Sequence, residues 1–118
     1  MTYLFQVYTN EINTLFSGVA MSTIDEIKNN ISLEKEKLKT LGISRIGIFG
    51  SYIKGLQKPE SDIDVLIEIT PESNLTLFSL LQLESDLSEK LNTKVDLVIK
   101  NDLKPFIARK VLSEVEYV

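Results

Sequence analysis

The chain has 118 residues, enough for one domain and too few for two, and its 43% hydrophobic and 25% charged content is that of a globular protein with a real core. It contains neither cysteine nor histidine, which excludes disulfides, thiolate or imidazole metal sites, cysteine nucleophiles and a Ser-His-Asp arrangement; catalysis would have to rest on carboxylates, which favour hard cations such as Mg²⁺ or Mn²⁺. A net charge of -4 argues against direct nucleic-acid binding, whose affinity comes from cationic side chains meeting phosphates, and suits a basic protein partner better.

Residues 1–20 hold no Lys or Arg, and Glu11 interrupts their apolar content, so they match neither a signal peptide nor a membrane span; cytoplasmic residence is the expectation. Within them Leu4, Tyr8, Ile12, Leu15, Phe16 and Val19 recur at helical spacing. Met21 precedes Ser22 and Thr23, which are suitable helix caps. The division expected is therefore an N-terminal helical extension over 1–20 and a single domain over 21–118.

A helix is predicted from Thr23 to Leu41, with Ile24, Ile27, Ile31, Leu38 and Leu41 on one face, Glu34, Lys35, Glu36, Lys37 and Lys39 solvated, and Gly42 as its C-terminal cap. Arg45 to Phe49 reads as a short buried strand, ended by Gly50-Ser51, after which Tyr52 to Leu56 can form a helical turn. Pro59, Glu60 and Ser61 make a loop into a strand from Asp62 to Ile69. There Ile63, Val65, Ile67 and Ile69 alternate with Asp62, Asp64, Leu66 and Glu68, so both aspartates share one face. A long helix is predicted from Asn74 to Leu91 on a stripe of Leu77, Phe78, Leu80, Leu81, Leu87 and Leu91. An alternating strand then runs from Lys94 to Lys100, with Asp96 facing away from Val95, Leu97 and Ile99. A last helix is predicted from Pro105 to Tyr117.

Two stretches carry chemistry. A glycine-led turn after a strand presents backbone N–H groups to an anion, with the Ser51 hydroxyl and the Lys54 charge beside it, although no Gly-Lys-Ser/Thr follows as a P-loop would need. Asp62 and Asp64 direct two carboxylates to one side, where their repulsion is relieved by a bound cation. If the strand holding Asp96 lies beside theirs, three carboxylates converge on one sheet face, as metal-assisted phosphoryl transfer requires. Glu68, farther along that face, reads as a rim residue.

Gly50-Ser51, ten intervening residues, Asp62-Ile63-Asp64, an apolar strand and a later Val95-Asp96-Leu97-Val98 resemble the signature of the DNA polymerase β-like nucleotidyltransferase superfamily. The short length and the ending Ser113-Glu114-Val115-Glu116-Tyr117 are most similar to its minimal nucleotidyltransferases, the MNT or MntA-like proteins. The resemblance spans roughly residues 24–117. It implies an α/β (α+β) single-domain fold, a small mixed sheet with helices packed on one face and the active site on the other.

By the same resemblance Gly50, Ser51 and Lys54 would hold the triphosphate, Asp62 and Asp64 would bind two Mg²⁺ ions, and Asp96 would share the catalytic metal and help activate the attacking hydroxyl. Lys54 stands where family members often have arginine, keeping the charge without the bidentate fork. The implied activity is transfer of AMP from ATP to a tyrosine hydroxyl of a HEPN-domain ribonuclease toxin, with this chain as antitoxin. The expected assembly is a hetero-oligomer with the toxin or a homodimer. Two other readings remain open: a module that neutralises its partner by occlusion without catalysis, and a small-molecule nucleotidyltransferase of the aminoglycoside-modifying kind.

Overall fold

The structure is a computed structural model, and it describes residues 23–118. The expected helical extension over 1–20 lies outside the described residues. The element order is α1 (Ile24–Ser32), α2 (Lys35–Thr40), β1 (Ile43–Phe49), α3 (Ser51–Lys54), β2 (Ile63–Ile69), α4 (Leu77–Leu91), β3 (Val95–Ile99), a 3₁₀ turn (Lys100–Asp102), α5 (Pro105–Glu114) and β4 (Glu116–Tyr117). No helix among the described residues is long and apolar enough to cross a membrane.

Among the described residues four strands form one mixed sheet in the order β3-β2-β1-β4. β1 runs antiparallel to β2 and to β4, whereas β2 and β3 are parallel neighbours joined through α4, the kind of crossover that parallel strands require. Alternation along β2 sends Ile63, Val65 and Ile67 to one face, where they pack with Ile27 and Ile31 of α1, Leu38 of α2 and Leu83, Leu87 and Leu91 of α4. Asp64, Leu66 and Glu68 point to the other face. The expected mixed sheet, with the acids on the side away from these helices, is the arrangement found.

Several boundaries differ from the sequence reading for identifiable reasons. The long helix expected from Thr23 is two helices, separated at Leu33 and Glu34 by a tight turn in which the Glu34 N–H donates to the Ile31 carbonyl at 2.9 Å. No residue type marks that break; it turns Glu34 toward α4, where its carboxylate meets Lys90 at 2.7 Å. The first strand begins at Ile43 rather than Arg45. A bulge at Ser44 shifts its register against β2, so that Ile43 and Ile46, three apart, both enter the core.

α4 starts at Leu77 because the Thr76 hydroxyl caps it, accepting from the Ser79 N–H at 3.1 Å. Its buried stripe is Leu83, Leu87 and Leu91, and the expected core positions Leu77, Phe78 and Leu81 are exposed. The last helix stops at Glu114: Val115 turns extended, and Glu116–Tyr117 add a fourth strand against β1. Gly47 makes this possible, since a Cβ there would stand 2.6 Å from Val115 Cγ2 and 3.2 Å from the Tyr117 ring. The end of α5 thereby reaches round to the face that carries the aspartates.

Candidate active site

Each acidic side chain is placed by its strand. Asp62 immediately precedes β2, Asp64 is its second residue, and their spacing of two puts both on the face opposite α1, α2 and α4. The parallel register sets Asp64 beside Asp96 of β3, and the antiparallel register sets it beside Phe49 of β1. The three acids expected to meet are therefore neighbours at one end of the sheet.

Gly50 closes this end. The chain leaves β1 there with φ 79° and ψ -150°, a conformation essentially reserved for glycine. A Cβ built on Gly50 would overlap the Asp64 carboxylate, lying 3.1 Å from its Cγ. The turn can cross over Asp64 because residue 50 has no side chain. The Gly50 carbonyl then accepts from the N–H groups of Ile53 and Lys54, both at 3.1 Å, which starts α3 and brings Lys54 back over the turn.

Electrostatics identify Asp64 as the strained member. Burial pushes its carboxyl above the ordinary value of 3.8, and the negative charges of Asp96, Asp62 and Glu114 push it further. Asp62 has a counterion in Lys94, whose Nζ lies 3.6 Å from Oδ2. Tyr52, the second residue of α3, is buried, and burial is the main reason its hydroxyl is harder to ionise, with the nearby Asp62 charge adding to it.

The donors are all carboxylate oxygens, which suits a hard divalent cation, and a cation beside Asp64 would relieve the repulsion just described. Among the described residues, however, no three Asp or Glu side chains stand close enough to form a finished metal cage. The acids fit a metal in kind and in placement on adjacent strands. A closed coordination shell would need groups brought by other molecules, as Mg²⁺ sites that use substrate phosphates do.

Glu114 was not among the residues that sequence reasoning selected. Its Oε1 accepts from the Gly50 N–H at 3.2 Å and its Oε2 pairs with Lys54 Nζ at 3.2 Å, so it occupies two of the groups expected to hold phosphate. The only sequence signal was its place in the Ser113–Tyr117 ending, which marks a resemblance without giving a role. Glu68 sits at the other end of the same face in a polar cluster. Tyr117 Oη donates to Glu68 Oε2 at 2.7 Å, Lys100 approaches Oε1 at 3.4 Å, and the Arg45 guanidinium lies 3.5 Å over the Tyr117 ring. Glu68 thus ties β2 to β4 and takes no part in the aspartate group.

Comparison with known proteins agrees with this geometry. The family model described as a nucleotidyltransferase domain matches residues 31–118. The chain belongs to the nucleotidyltransferase domain family. Among its relatives, this nucleotidyltransferase is 41% identical over 101 residues to the protein adenylyltransferase MntA of Thermococcus cleftensis, covering 85% of this chain and all (100%) of that protein. A chain in the crystal structure of a toxin-antitoxin with AMP-PNP is similar with a TM-score of 0.63 and 25% identity, over 76% of this chain and 70% of the other. A chain of the complex between tri-AMPylated Shewanella oneidensis HEPN toxin and MNT antitoxin shares the fold, with a TM-score of 0.50 and 22% identity over 73% and 69% of the two chains.

Proposed function

We propose that this nucleotidyltransferase is an Mg²⁺-dependent protein adenylyltransferase that moves AMP from ATP to a tyrosine hydroxyl of a HEPN-domain ribonuclease toxin, and that it acts in the cytoplasm as the antitoxin. The observation that carries the reading is the placement of Asp64 beside Asp96 across parallel strands, under the Gly50 turn and next to Asp62. Relatives named as a protein adenylyltransferase and as a toxin-antitoxin with AMP-PNP support the activity and the nucleotide. The complex named for an AMPylated HEPN toxin and an MNT antitoxin supplies the kind of partner.

In this reading Gly50, Ser51 and Lys54 bind and orient the triphosphate, while Asp62, Asp64 and Asp96 hold the metal. When bound, the metal supplies positive charge for the phosphates and polarises the reacting oxygens. The tyrosine oxygen forms a bond to the α-phosphorus as the bond from that phosphorus to the bridging oxygen breaks and pyrophosphate departs. Asp96 would help activate the attacking hydroxyl by taking up its proton. Positioning and charge do most of the work in such a transfer, which suits a chain without histidine. Residues 21–118 are taken as the catalytic domain, with the toxin completing the wall over the exposed site in a hetero-oligomer.

The test is intact-mass spectrometry of the HEPN partner after incubation with the full chain, ATP and Mg²⁺, beside an Asp62→Ala, Asp64→Ala control. One or more added AMP groups, absent in the control, are expected. An unmodified toxin that is nevertheless silenced in a stable complex would replace this reading with inhibition by occlusion.

A further inference from the structure

Glu114 rests on the cradle in the manner of a bound anion. Its two carboxylate oxygens divide between the Gly50 N–H and the Lys54 ammonium, and only 17% of the side chain is exposed. The fold aims it there. The Val115 N–H bonds the Val111 carbonyl at 2.9 Å, closing α5, and Val115 then packs against the bare Cα of Gly47, which fixes the preceding residue over the Gly50 turn. The position also carries an electrostatic cost, because Glu114 adds a negative charge close to Asp64.

We infer that Glu114 is an internal stand-in for phosphate: in the nucleotide-free protein it holds the Gly50 turn and Lys54 in place, and the triphosphate of the donor displaces it. The inference rests on the phosphate role of Gly50 and Lys54 given above. Four acids, Asp62, Asp64, Asp96 and Glu114, stand against Lys54 and Lys94 at this site, so a nucleotide arriving without a metal meets a net negative pocket whose nearest cation is already engaged. With a divalent ion the phosphates bring their own neutralising charge and compete with a single carboxylate for the same donors. Glu114 is thus a positioning residue that keeps the cradle formed and makes triphosphate binding more dependent on the metal.

The experiment measures binding of inorganic triphosphate to the full-length protein by calorimetry, in EDTA and separately with excess Mg²⁺, at low ionic strength where exposed charges are least screened. Glu114→Gln can still accept from the Gly50 N–H but releases the Lys54 charge, and is expected to bind triphosphate in EDTA about threefold to tenfold more tightly than the wild type. Glu114→Asp keeps the charge but withdraws the carboxylate by one methylene, and is expected to shift affinity in the same direction. The gain should shrink with Mg²⁺. Equal or weaker binding by both variants in EDTA would overturn the inference, and weakening seen only with Mg²⁺ would make Glu114 a metal ligand instead. Lys54→Met separates this failure from failure of the cradle itself: triphosphate binding that ignores Lys54→Met would remove the phosphate role on which the inference stands.

Discussion

Gly50→Ala adds one methyl group to the residue that closes the site, and its effect can be worked from two features. The backbone at φ 79° and ψ -150° is one that alanine adopts only under strain, at about 1–3 kcal/mol. The new Cβ would also overlap the Asp64 carboxylate, and forcing that side chain aside costs about 1–3 kcal/mol by analogy with overpacked interiors. The sum is roughly 2–6 kcal/mol, a large share of the stability of about 5–15 kcal/mol usual for a small domain.

Gly55 supplies the internal control. It too has positive φ, at 71°, but its ψ of 22° is ordinary left-handed helix and nothing lies within 4 Å of its Cβ position. Gly55→Ala should therefore cost about 1 kcal/mol or less, because the left-handed penalty is partly offset by a stiffer unfolded chain. Urea unfolding followed by circular dichroism would compare the two, and a transfer assay would show Gly50→Ala inactive with Gly55→Ala close to wild type. Adding Asp64→Ala to Gly50→Ala should recover the steric part, about 1–3 kcal/mol, and leave the backbone strain. Stabilities of the two alanine variants within about 0.5 kcal/mol of one another, the usual limit of additivity error, would refute the account of the turn.

Three further outcomes are expected. Asp64→Asn should abolish AMP transfer while leaving the urea midpoint unchanged or slightly raised, since it removes a carboxylate that its neighbours repel; retained transfer would remove Asp64 from the site. Burial alone would raise the Glu68 carboxyl, but the Tyr117 hydrogen bond and the charges of Lys100 and Arg45 outweigh it and hold the group below its ordinary 4.5. Its stabilising contribution is therefore complete above pH 4.5 and fades as pH falls through the lower folded value, so the stability gap between wild type and Glu68→Gln should narrow in acid; a gap unchanged across acid titration would contradict this. Leu87→Ala opens a hole between α4 and the sheet and should cost about 2–5 kcal/mol by urea unfolding, with m unchanged.

The sequence by itself determined the local facts. Strict alternation along residues 63–69 decided that Asp62 and Asp64 share a face, because a strand has a period of two wherever it sits. The glycine after an apolar run located the turn, and the absence of cysteine and histidine narrowed the chemistry to carboxylates. A resemblance carried by those same residues then supplied the family. Periodicity was less informative in α4, where a helix-wide run of leucines offered several stripes: Leu87 and Leu91 were read correctly as core, but only packing against the sheet added Leu83 and left Leu77, Phe78 and Leu81 exposed.

Tertiary structure decided which distant residues meet. Nothing local to Val95–Ile99 places Asp96 beside Asp64; that follows from the parallel crossover through α4 and its register. Likewise residues 115–117 read as the continuation of a helix until Gly47, nearly seventy positions earlier, leaves room for Val115 and Tyr117 to form an added strand edge. That contact brings Glu114 onto Gly50 and Lys54. Contacts of this kind depend on shape across the sheet, and a one-dimensional pattern records only what each residue prefers near itself.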